Sequence, residues 1–70
     1  MFNNNEYIYK KAIRAKASRA LGSTIALDMF FEFIGFWDAR EYENANEIRT
    51  EAKDLQQYQA VSFMNQYTDL

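Results

Sequence analysis

Apolar residues are spread unevenly along this 70-residue chain, and the densest run is Ile25 to Trp37, IALDMFFEFIGFW. It holds four phenylalanines and the only tryptophan, interrupted by two charges, Asp28 and Glu32. Those charges stand four apart, on one helical face, which favours a helix over a strand although aromatic runs favour β structure. The helix is expected to start at a Ser23 or Thr24 cap and run to Tyr42. On a helical wheel its apolar residues sweep roughly 240°, far more than the ~100° stripe of an ordinary surface helix. Gly35 falls on the narrow polar strip, which predicts a close helix crossing or a mild bend there.

A first helix is predicted from Asn5 to Leu21. Asn3 and Glu6 have capping-box spacing, and KKAIRAKASRAL is rich in helix formers. Tyr9, Ile13, Ala17 and Ala20 share a face, and Gly22 suits a left-handed position after the helix. A third helix is predicted from Ala45 to Gln66, with Asn44 and Glu47 as a second capping box. Ala45, Ile48, Ala52, Leu55, Gln59 and Phe63 form its near-heptad seam, and the final YTDL is expected to fray. The fold class is therefore all-α: a single domain, a three-helix bundle or helical hairpin completed by self-association. If the break at Asn44 fails, helices two and three fuse and a dimer becomes obligatory.

The aromatic arc is too wide for two short helices to cover, so one edge is expected to face a second chain. The expected outer edge is Phe30, Phe31, Ile34 and Trp37, with Met29, Phe33 and Phe36 inward. Large exposed aromatic patches mark interfaces. A chain this short also has a marginal core and needs a staple. Cysteine and histidine are both absent, which excludes disulfides and the common zinc sites and leaves oligomerisation. No cofactor is implied.

Charge adds a second theme. Residues 1–22 carry five bases against Glu6, a balance of +4, while residues 23–70 carry three bases against nine acids, −6, reproducing the net −2. Lys10, Lys11 and Arg14 cluster on the first helix as candidate phosphate contacts. Glu41, Glu43, Glu47, Glu51 and Asp54 form a negative strip. Asp28 and Glu32 could serve as an acid/base pair, bind a divalent ion, or form a polar stripe that pairs with the bases of the first helix. Most of Tyr7, Tyr9, Tyr42, Tyr58 and Tyr67 are expected to be boundary residues with packed rings and wet hydroxyls. The segment Ala20 to Trp37 approaches the length of a membrane span, but Asp28 and Glu32 would sit inside it, so no membrane role is expected.

No P-loop, dinucleotide fingerprint or nucleophile motif is present. The expectation is a non-enzymatic protein-interaction module, an inhibitor or adaptor that self-associates as a dimer through the aromatic helix and occupies a partner protein's surface. Nucleic-acid binding by the basic helix, or a structural role in a larger assembly, is the alternative. No secretory leader is evident in MFNNNEYIYKK, so a cytoplasmic location is expected. In size, and in lacking cysteine and catalytic apparatus, the chain resembles the small accessory proteins that phages make to redirect host factors.

Overall fold

A computed structural model describes residues 4–70. The described chain forms four helices: α1 (Asn4–Ala20), α2 (Thr24–Asp38), α3 (Tyr42–Asp54) and α4 (Tyr58–Thr68). The fold is all-α, with four helices in place of the three expected. The proposed Asn3 cap lies outside the described residues.

The first joint follows ordinary capping chemistry. Leu21 N–H donates to Ala17 O at 2.9 Å as α1 closes. Ser23 then adopts extended backbone and its Oγ accepts from Ala26 N–H at 3.1 Å, which starts α2. Gly22 does not take the left-handed conformation foreseen for it: neither glycine has positive φ.

The second joint lies ahead of the expected break at Asn44, and a third joint divides the segment expected to be one helix. The aromatic helix stops at Asp38, not Tyr42, because Arg40 turns left-handed at φ 63°. Glu41 N–H reaches back to Phe36 O at 2.9 Å and Arg40 N–H to Trp37 O at 3.0 Å, the paired bonds of a Schellman motif. The same motif recurs at Gln56, φ 57°, with Gln57 N–H to Ala52 O at 2.8 Å and Gln56 N–H to Lys53 O at 3.0 Å. That second turn divides the expected third helix into α3 and α4. Asn44 is therefore interior to α3 and not its cap; its amide donates to Glu41 Oε1 at 3.3 Å.

Division resets the helical phase. Ala45 and Ala52 are buried as the seam requires, but Leu55 and Gln59 are exposed. Instead α4 turns Ala60, Val61, Phe63, Met64 and Tyr67 inward. Tyr67, in the tail expected to fray, is 1% exposed and ranks with Phe30, Phe33 and Met64 as the largest fully buried side chains. Phe30 is the hub: its ring meets Phe63 and Tyr67 edge-on at 6.2 and 6.3 Å.

Helix α2 packs against both α3 and α4, whereas α1 packs against α4. Ile13, Ala17 and Leu21 are its buried contributions. Gly35 is exposed, and a Cβ built there meets nothing, so no helix crosses closely at that point.

Candidate functional site

The outer edge expected for the aromatic helix divides in two. Phe30 is fully buried and Ile34 nearly so, a correction with a plain cause: α4 folds back over them. Trp37 is half-buried, stacked on Phe33 at 5.9 Å and edge-on to Tyr42 at 4.6 Å. Phe31 alone of the four is exposed, at 42%. Met29 and Phe33 lie inside, and Phe36 is half-buried against the core. Arg49 caps this region, its guanidinium 5.2 Å from the Phe33 ring centre and donating to Asn65 at 2.9 Å.

Phe31 shares a helical stripe with Leu27 and Asp38, since they are separated by four and seven residues. Asp38 points toward α1 and α4. Its Oδ1 accepts from Lys10 Nζ at 2.9 Å and its Oδ2 from the Tyr67 hydroxyl at 2.7 Å. On this stripe Leu27 packs against the core, and Phe31 stands 42% exposed with its ring centre 5.6 Å from that of buried Phe30.

The basic trio separates as well. Lys10 is engaged: besides Asp38 it contacts Glu6 at 3.3 Å and lies 5.2 Å from the Tyr67 ring centre. Its hydrogen bond to Asp38 raises its pKa above the usual lysine value, against the opposing effect of burial. Tyr67 is pushed up to about 12, first by burial and then by donating to Asp38, whose negative charge disfavours tyrosinate. Lys11 and Arg14 are exposed and unpaired among the described residues. Lys10 thus differs from Lys11 and Arg14 in being engaged by two carboxylates.

Asp28 and Glu32 are exposed on α2 and form no ion pair with α1 among the described residues. The carboxylate that does reach α1 is Asp38, which sequence reasoning missed. Its signal was faint: an acid closing the aromatic run, with the partner lysine distant in sequence. No described group of three or more acids, histidines or cysteines is arranged to hold a metal ion. Among the described residues, no helix is long and apolar enough to cross a membrane.

Comparison with protein families, with curated proteins and with solved structures finds no match for this chain.

Proposed function

We propose that this chain is a non-enzymatic helical interaction module, an inhibitor or adaptor that occupies a partner protein's surface and associates with itself through the open part of its aromatic helix. The observation that carries the reading is Phe31: the most exposed ring of the aromatic helix, at 42%. Covering such a ring is worth on the order of 1–2 kcal/mol, enough to anchor a contact but too little to make one alone. The half-buried Trp37 and Leu27 extend the same helix's apolar surface.

Phe31→Glu tests this. Wild-type and variant are compared by sedimentation across a concentration series and by affinity capture of a partner. The variant should keep its helical circular dichroism and lose the captured partner together with any assembly that persists at high salt. Unchanged size together with unchanged capture would remove Phe31 from the function.

A second reading, phosphate contact by α1, is favoured by the unpaired exposure of Lys11 and Arg14. Retardation of nucleic acid at low salt, lost when Lys11 and Arg14 are neutralised, would support it. An absence of retardation at low salt would dismiss it.

A further inference from the structure

The charges of this molecule stay sorted by helix after folding. The side of α1 opposite buried Ile13 and Ala17 presents Arg19 between Lys11 and Lys16, which stand about 140° apart around the helix, with Ile8, Ala12 and Ala15 among them, all exposed. None of these bases forms an ion pair among the described residues. The side of α3 opposite buried Ala45 and Ala52 presents Glu43, Glu47, Glu51 and Asp54, also exposed and without a cation among the described residues. These acids follow one another at helical spacings of four, four and three. Like charges so placed cost a few tenths of a kcal/mol per pair, and among the described residues no ion pair offsets it.

One chain cannot bring the two faces together. Helix α1 rests on α4, and α3 rests on α2 and α4. A second copy can. The acids span about 16 Å of helix axis and the bases about 12 Å at the rise of an α-helix, so the narrow acidic stripe and the broader basic face are of similar length. The alanines of α1 permit close approach, and Ile8, 55% exposed, supplies an apolar contact.

We propose that the outer face of α1 receives the acidic stripe of α3 from a second copy of this chain. The contact joins two different faces: a pair joined once leaves one α1 and one α3 free in all, and a twofold dimer that makes the contact in both directions leaves none. It therefore closes as a dimer where both contacts form at once, and otherwise propagates into open chains or a larger ring. It is also electrostatic, so it strengthens as the screening length grows from about 10 Å at 0.1 M salt to about 30 Å at 0.01 M. The surface is distinct from Phe31, and the two readings stand or fall separately.

Sedimentation velocity on the full chain tests it, at ionic strengths on the order of 0.01 M and 1 M. Wild-type should form a concentration-dependent series of oligomers at low salt and shift toward monomer at high salt. Lys11→Glu with Lys16→Glu, and separately Glu47→Lys with Glu51→Lys, should each weaken assembly about tenfold or more. Mixing the two variants should restore it, because each then carries the charge the other lacks. Lys11→Gln with Lys16→Gln provides a milder variant should charge reversal disturb the helix, and should likewise weaken assembly.

A wild-type protein monomeric at low salt overturns the proposal, and so does a mixture that fails to reassemble. Duplex DNA bound at low salt by a chain that does not self-assemble also overturns it and assigns the face to nucleic acid. Assembly that resists salt and charge reversal but is lost in Phe31→Glu overturns it while leaving the aromatic contact standing.

Discussion

Tyr67 donates its hydroxyl to Asp38 at 2.7 Å, tying the C-terminal turn of α4 to the last residue of α2. The ring beneath that hydroxyl is buried against Phe30, so the bond closes a site whose geometry the core already sets. Lys10 completes the group from α1. Three helices therefore meet at one carboxylate.

Removing the hydroxyl should be felt. A hydrogen bond to a charged group is worth about 1.5–3 kcal/mol. The Lys10 pair is partly exposed and should contribute less, about 0–1 kcal/mol. Urea denaturation should place Tyr67→Phe about 1–2 kcal/mol below wild-type and Lys10→Met within about 1 kcal/mol of it. Asp38→Ala should cost less than the two together if the lysine and tyrosine then find water. A Tyr67→Phe chain as stable as wild-type would show that the bond contributes nothing.

The same contact makes stability fall in alkali. The folded pKa of Tyr67, about 12, lies above the value near 10 of an unfolded tyrosine. Below pH 10 the group is protonated in both states and its contribution is complete. As pH rises from about 10 to about 12 the unfolded chain loses its proton first, and stability drops. Lys10, also raised, acts in the same direction above the ordinary lysine range. Chemical denaturation at intervals across that window should show the decline, and Tyr67→Phe should flatten part of it. Tyrosinate absorbance should contain one late-titrating ring that the variant lacks.

How the chain hides its rings was only partly legible in the residues. Helices α1 and α2 start near where their caps and apolar spacing place them. The remaining joints carry no glycine or proline: Arg40 and Gln56 make the left-handed turns. Without a visible break at Gln56, the stripe from Ala45 runs on through Leu55 and Gln59, and the inward set of α4 stays concealed. A clue existed. Ala60, Phe63, Met64 and Tyr67 repeat at helical spacing, but out of phase with Ala45, Ile48 and Ala52. That slip is the mark of a separate helix. Missing it left the aromatic helix without its cover, which overstated how much of it must face another chain. Asp38 was illegible for another reason, since its partners come from helices far away in sequence.

The two left-handed residues should be improvable. A side chain in this conformation costs roughly 1–2 kcal/mol relative to a relaxed helix residue, and glycine avoids that at some entropic cost. Arg40→Gly and Gln56→Gly should each raise stability by about 0.5–1 kcal/mol, read from the denaturation midpoint at constant slope. The turns are separate, so the gains should add. Destabilisation by either variant would mean that its side chain holds the turn.

Gly35 runs the other way. It sits within α2 at negative φ with open space where a Cβ would go. Gly35→Ala should stabilise the chain by about 1 kcal/mol through helix propensity alone. Thermal melting should move upward, with helical content unchanged or slightly higher. A loss of stability would indicate a backbone shape that alanine disfavours.

Phe30 and Phe31 are neighbours in sequence with opposite environments, and their variants should separate folding from association. Phe30 is fully enclosed and contacts Phe63 and Tyr67, so Phe30→Ala opens a cavity and should cost about 3–5 kcal/mol. In a chain this small that approaches the whole folding free energy, at roughly 0.05–0.15 kcal/mol per residue. Weakened assembly in that variant would report unfolding and nothing about an interface. Phe31→Ser removes a partly exposed ring and should cost about 1 kcal/mol or less if no partner covers it. Urea melts at low and high protein concentration provide the check. A Phe31 penalty that grows with protein concentration is expected from a self-contact, because association adds its binding free energy to folding. A penalty that is the same at both concentrations would place Phe31 outside any contact between copies.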